Sequence, residues 1–240
     1  MMSSGVITDP TFPPLLRGEK VGATINPFQK AVAASVMGTE PGVIYFAERE
    51  DMLHLALVLA PETPLSECVG VCHAAMLALA DSLGALGPPE LAIHFSWPFG
   101  LKVNGAHCGV LTCQASTTDP ADIPNWLVIG VEIPFMRPAG LEPGENPEST
   151  WLYEEGCIEL TVPQVIESWS RHALIWLRAF EDGGYAEIQS HWRAKCDSIG
   201  QEIEAPASGI FVGTTETGGL LLRHNGLTDI YELTGQLVNA

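Results

Sequence analysis

Apolar positions along this chain alternate between helical and strand spacing, and turn residues separate the segments cleanly. Over residues 26–37, Phe28, Ala31, Val32, Ser35 and Val36 recur at helical steps, and Gly38 with the Glu40-Pro41-Gly42 turn stops the pattern. Two apolar runs follow, residues 43–47 and 53–60. The charged turn Glu48-Arg49-Glu50-Asp51 joins them and Pro61 bounds the second, which predicts a hairpin. Thr63 then offers an N-cap with Pro64 at the first helical position. Leu65, Val69, Cys72, Met76, Leu79, Leu83 and Leu86 continue from there along one face, so a long helix with a core stripe is predicted.

Beyond Gly87-Pro88-Pro89 the period changes to two. A strand over 91–95 leads through Trp97-Pro98 into a hairpin of 101–103 and 106–113 around Asn104-Gly105. Asn-Gly is the preferred pair for a two-residue type I′ turn, because both central residues need positive φ. A further strand spans 126–135, and residues 136–150 form a loop rich in Pro and Gly, placed at the surface where it can border a site. Thr161 and Gln164 have capping-box spacing, and Val162, Ile166, Trp169, Ala173, Leu177 and Phe180 carry an apolar face to Gly183-Gly184. A second helix is predicted over 185–195. After Ile199-Gly200 come short alternating pieces at 210–214, 219–223 and 227–233, which suit a small SH3-like β domain. The fold class is therefore α/β or α+β: a central mixed or largely antiparallel sheet with helices on one face, then the small β domain. The expected organisation is an N-terminal arm over 1–20, ordered only if it docks, a main domain over 21–196, and the β domain over 197–240.

Composition narrows the partners. The 240 residues are 46% hydrophobic, ample for a core, and 29 acidic against 11 basic residues give a net charge of -18. That field repels phosphate backbones and anionic lipid, so neither nucleic acid nor a membrane surface is expected as a partner. The longest apolar stretch, 69–86, is broken by His73 and Asp81, and residues 1–14 lack a basic start and an apolar signal core. A cytoplasmic location is expected. The six cysteines, without C-x-x-C spacing, are expected to be reduced and mostly buried. Cys68 and Cys72 lie one helical turn apart but lack two further ligands, so no metal is expected. His54, His73, His94, His172, His191 and His224 have no partner spacing and are assigned to structure.

From Trp97-Pro98 onward the chain resembles the biotin and lipoate protein ligases. In that family a Trp-Pro-Asn-Asp segment leads through a hairpin to a lysine-bearing Gly-Ile-Leu strand and then to an Ile-Gly-Ile-Gly-Ile-Asn strand. Here the same places read Trp97-Pro98-Phe99-Gly100, then Asn104-Gly105-Ala106-His107-Cys108-Gly109-Val110-Leu111, then Ile129-Gly130-Val131-Glu132-Ile133-Pro134. Ala23-Thr24-Ile25-Asn26 stands where the family has its Ser-Thr-Asn entry to the first helix. His191-Trp192-Arg193-Ala194-Lys195, followed by Ser198-Ile199-Gly200, resembles the junction with the C-terminal β domain. Five pieces in the right order, from about Gly22 onward, carry the likeness. It implies the class II aminoacyl-synthetase-like ligase fold, a small carboxylic acid such as biotin or lipoate as ligand, and Mg-ATP as co-substrate. It also implies a biotinyl or lipoyl carrier domain as acceptor. Family members often form homodimers through the sheet, and no residue of this chain points to one.

Two departures limit what carries over. Family members close a Gly-Arg-Gly-Arg loop over the acyl-adenylate, supplying backbone amides and arginines for the phosphate. Here the corresponding passage is Ala47-Glu48-Arg49-Glu50-Asp51-Met52, with no glycine, one arginine and three carboxylates. The family's catalytic lysine falls on Ala106 or His107, depending on the direction of counting, and Ser96 and Pro134 replace two further family residues. Of the four lysines, Lys20, Lys30, Lys102 and Lys195, only Lys102 is near, opposite His107 on the paired strand, where it could take over the missing charge. The candidate catalytic residues are therefore Lys102 and His107. The candidate ligand-binding residues are Asn26, Trp97, Pro98, Asn104, Gly105, Gly109, Gly130 and Glu132. Trp192 could add an apolar wall, and Arg193 is left open between structure and site. A cysteine transferase using Cys108 or Cys157 would need a histidine from elsewhere, since His107 and Cys108 point to opposite strand faces. Two functions of different class remain open: acyl attachment to a carrier lysine by an atypical site, and a catalytically inactive pseudo-ligase that binds a small acid or a carrier domain.

Overall fold

The computed structural model describes residues 9–142 and 144–238. Seven strands form the main sheet: β1 (Arg17–Val21), β2 (Val43–Ala47), β3 (Met52–Leu59), β4 (Ile93–Ser96), β5 (Gly100–Val103), β6 (Ala106–Ala115) and β7 (Leu127–Pro134). Their order is β1-β2-β3-β7-β6-β5-β4. β1 runs parallel to β2 and every other neighbour is antiparallel, so the sheet is mixed.

Alternation along the strands decides which face each helix covers. Ile44, Phe46, Leu53, Leu55, Leu57 and Ile129 belong to the large core beneath α3 (Val71–Leu86), α4 (Val162–Gly183) and α5 (Tyr185–Lys195). Val43, Tyr45, Ala56, Val58 and Val128 point the other way and are covered by α1 (Pro27–Val36) through Ala31, Phe28 and Val32. The helices are thus not all on one face. Because α1 is short and sits over β2, β3 and β7, no helix among the described residues covers the same face of β5 and β6, and there Val110 remains 45% exposed.

The predicted long helix is interrupted. α2 (Leu65–Cys68) and α3 are separated at Val69-Gly70, where a Cβ on Gly70 would lie 2.7 Å from the Tyr185 ring. α3 is also buried nearly all round, His73, Ala74, Leu77 and Ala78 included, because it lies between the sheet and α4 and α5. The stretch Leu65–Leu86 has the length and apolarity of a membrane span, and 78% of its window is buried inside the fold, as a core helix would be.

The arm is the largest correction among the elements. Residues 1–8 lie outside the described residues, but 17–20 belong to the sheet in β1, whose side chains are mostly exposed and so leave no apolar pattern to read. Ahead of it, Phe12 packs on Phe46 with ring centroids 5.8 Å apart, and the Thr11 backbone N–H donates to the Glu167 carboxylate at 2.8 Å. The capping box at the start of α4 is present, with the Thr161 backbone N–H donating to Gln164 Oε1 at 2.9 Å. Cys72 of α3 and Cys113 of β6 face each other, their Cα atoms 7.1 Å apart, beyond the usual span of a disulfide. They meet because α3 packs directly on β6, and Cys68, Cys108, Cys157 and Cys196 are buried as well.

The C-terminal part is a four-stranded antiparallel sheet of β8 (Glu202–Ile203), β9 (Gly209–Thr214), β10 (Leu220–His224) and β11 (Leu227–Tyr231), in the order β11-β10-β9-β8. Its Phe211, Leu220 and Leu222 are part of the same core as the main sheet. Gln189 of α5 donates to the Thr215 carbonyl at 2.8 Å, and the Val238 N–H donates to the Cys113 carbonyl at 2.9 Å, tying Val238 to β6.

Candidate functional site

The uncovered face of β5 to β7 is the floor of a groove with a volume of about 840 Å³. The Trp97–Gly100 connection forms one wall, the loop carrying Pro138, Leu141 and Trp151 forms another, and Gln236 and Val238 close one end. Gly109 opens the floor beside β7: a Cβ there would lie 2.7 Å from the Glu132 carbonyl oxygen, so a larger residue would force β6 and β7 apart. Val110 and Glu132 are direct cross-strand partners and share this face.

Glu132 is half-exposed in the floor, and its Oε1 lies 3.2 Å from His54 Nε2 on β3, its register partner. The adjacent His54 ring holds the Glu132 carboxyl below the usual carboxylate range. Arg49 adds a weaker long-range effect, but its guanidinium is forked onto Asp51 at 2.9 and 2.6 Å. Arg137, on the wall loop, lies 4.9 Å over the Trp151 ring and pairs with Glu154 at 2.6 Å. Among the described residues that line the groove there is no lysine or arginine, and Glu132 is the one carboxylate.

Behind the Trp97–Gly100 wall, His73 is fully buried. Its Nε2 is 3.0 Å from the Pro98 carbonyl and its Nδ1 is 2.9 Å from the Tyr185 hydroxyl. A carbonyl can only accept, so the proton sits on Nε2 and Nδ1 accepts from Tyr185. Burial pushes the imidazole pKa down to about 3, which keeps the ring neutral, and it stacks on Trp192 with centroids 4.2 Å apart. Trp97 is fixed from the other side, its Nε1 donating to the Gly218 carbonyl at 3.0 Å.

Of the candidates named from the sequence, the fold brings Trp97, Pro98, His107, Gly109 and Glu132 to the groove, and the remaining five serve elsewhere. Asn26 is the N-cap of α1, its Oδ1 accepting from the Gln29 N–H at 3.0 Å. Asn104 and Gly105 form the expected turn, with φ of 50° and 90°, and Asn104 Oδ1 accepts from the Ala92 N–H at 2.9 Å. Gly130 lies under α1, where a Cβ would meet the Phe28 ring at 2.7 Å. Lys102 does sit opposite His107, but its ammonium reaches Asp197 at 2.9 Å, in the segment that bridges β4 through Phe95 and Cys196. Trp192 is core, with no exposed surface. Burial, with a smaller effect of Glu155, pushes the Cys108 thiol up to about 12 and raises that of Cys157, which works against a thiolate at either position. His54 was missed because only the pairing of β3 with β7, strands distant in sequence, places it beside Glu132. A histidine on a buried strand was the one available sign.

The sequence matches the model of the biotin/lipoate A/B protein ligase family over residues 12–194. No curated protein matches it. Among solved structures, a biotin protein ligase-like protein of unknown function from Silicibacter sp. TM1040 is 39% identical, with a TM-score of 0.90 over 96% of this chain and 100% of that one. The biotin protein ligase of Aquifex aeolicus superposes with a TM-score of 0.73 at 16% identity, over 90% of this chain and 96% of that one. The same enzyme in complex with biotin and ATP gives a TM-score of 0.70 at 16% identity, again over 90% and 96%. With the family's model matched over most of its length, this chain belongs to the biotin/lipoate A/B protein ligase family.

Proposed function

We propose that this chain is a ligand-binding member of its family that holds a small molecule with an apolar body in the groove and forms no acyl-adenylate. The observation that carries this is Glu132. A carboxylate stands in the groove floor where the family's strand has its second glycine, and no cationic side chain among the described lining residues offsets it. An adenylate and its leaving pyrophosphate are anions that need cationic or amide donors around them. The turn between β2 and β3, with Glu48, Glu50 and Asp51, adds charge of the wrong sign on the side where ligases close their loop. Apolar walls of Trp97, Leu141 and Trp151 suit a hydrocarbon body, and the volume is in the range of small-molecule sites.

Thermal unfolding with biotin, lipoate, octanoate and Mg-ATP, alone and in acid–nucleotide pairs, tests this. A ligand present at a hundred times its dissociation constant adds about 2.7 kcal/mol, a rise in midpoint of roughly 5–10 °C for a chain of this size. ATP is expected to add no increment to any acid, and an ATP-dependent rise of several degrees would refute the proposal. A second function, transfer of a pre-activated acyl group to a carrier-domain lysine, is favoured by the same carboxylate, which could accept the proton of an incoming lysine ammonium. Lys102 has no part in either function. Lys102→Ala is expected to leave ligand affinity unchanged and, by loss of the Asp197 pair, to cost no more than about 1 kcal/mol of stability. Binding titration and urea unfolding of the variant check both halves.

A further inference from the structure

The groove combines three features that together define the chemistry of its occupant. Its lining is largely apolar, with Val110 45% exposed and Trp97, Pro138, Leu141 and Trp151 in the walls, interspersed with neutral polar groups such as Thr112 and Asn146. Its one carboxylate, Glu132, is 40% accessible at the side chain and has His54 Nε2 3.2 Å from Oε1, and its oxygens are acceptors. The two arginines nearest in sequence to the groove's walls are each paired with a carboxylate, Arg49 with Asp51 and Arg137 with Glu154, and Arg137 keeps a buried Nε without a partner.

From this charge pattern we infer that the groove takes a small-molecule primary amine, an apolar body ending in an ammonium group that donates to Glu132. The inference rests on the groove being a ligand site, as proposed above, and adds the class of ligand. An ammonium beside Glu132 gains a charge-assisted hydrogen bond, and the net charge of -18 adds a favourable field at longer range. A free carboxylic acid in the same place meets a like charge with nothing cationic lining the groove to compensate. The His54 ring beside it holds the Glu132 carboxyl below the usual carboxylate range, so the acceptor is charged before the ligand arrives. A free small molecule fits better than a side chain of a docked protein. The Trp97–Gly100 wall, the loop around Leu141 and the segment at Gln236 and Val238 bound the space on three sides, at a volume of about 840 Å³.

The experiment compares hexylamine, hexanol and hexanoate, one body with three head groups, by calorimetric titration of the full chain at pH 8 and moderate salt. At that pH the alkylamine is protonated and free imidazoles are neutral. Hexylamine is expected to bind at least about tenfold more tightly than hexanol, and hexanoate most weakly, with Glu132→Gln abolishing the difference between amine and alcohol. Equal or tighter binding of hexanoate, or an amine preference that survives Glu132→Gln, overturns the inference. Nα-acetyl-lysine methylamide, which offers its ammonium on a peptide, is expected to bind at least about tenfold more weakly than hexylamine. Equal affinity would replace the free amine by a protein lysine. Failure of all three hexyl probes to bind would remove the ligand site itself, whereas binding without a head-group preference would leave that site standing and remove only the amine.

Discussion

The free energy of unfolding is expected to fall steeply as pH is lowered from about 6.5, by roughly 1.4 kcal/mol per pH unit from His73 alone. In the folded chain its pKa is about 3, because burial disfavours the charged ring. In the unfolded chain an imidazole titrates near ~6.5. Below that value the unfolded state binds a proton that the folded state refuses. The stability given by neutral His73 is therefore fully present above about pH 6.5 and is lost as pH falls toward 3. Glu132, whose carboxyl is depressed, acts in the same direction but only below the ordinary carboxylate range, so the interval between pH 6.5 and 5 isolates the histidine. Urea unfolding at pH 7, 6 and 5 should show the wild type losing about 2 kcal/mol more than His73→Gln over that interval. Glutamine can still bond both the Pro98 carbonyl and the Tyr185 hydroxyl. Parallel curves for the two proteins would mean that His73 is not held neutral.

Trp192→Ala is expected to cost about 3–5 kcal/mol, a large share of the 5–15 kcal/mol that typically separates folded from unfolded states. The indole has no exposed surface and stacks on His73 at 4.2 Å and on Phe95 at 6.0 Å. It thus joins α5 to α3 and to β4, and through His73 it supports the Pro98 wall of the groove. Trp192→Phe should cost much less, because the indole Nε1 is buried without a partner and its removal deletes an unsatisfied donor. Denaturant unfolding of both variants tests this. A loss below about 1 kcal/mol for Trp192→Ala would contradict the packing described.

Much of the architecture was legible in the sequence wherever one residue type enforces one local geometry. Asn104-Gly105 demanded positive φ twice and formed the predicted turn, and Gly184 and Lys195 bracket a helix that fills the predicted span 185–195. The family likeness at Trp97-Pro98, over the Asn104–Leu111 segment and along the Ile129–Pro134 strand led to the correct fold and to five of the groove residues. Edge and long-range pairings were not legible. β1, with Arg17, Glu19 and Lys20 outward, carries no apolar rhythm and exists because β2 offers it a partner. The contact of Cys72 with Cys113 and that of His54 with Glu132 depend on which strands and helices pack together, which spacing along the chain does not encode. Lys102 illustrates the converse: its register opposite His107 was predicted, yet the position of Asp197 at the end of α5 decides where its ammonium goes.

The most direct test of a groove that binds without activating is acid-dependent pyrophosphate release from Mg-ATP in the presence of the protein and biotin, lipoate or octanoate. A carboxylate floor with no lining cation predicts release no faster than in protein-free controls for all three acids. Release that requires one of the acids and turns over many times per protein molecule would contradict it, and would show that this chain builds an adenylate around Glu132.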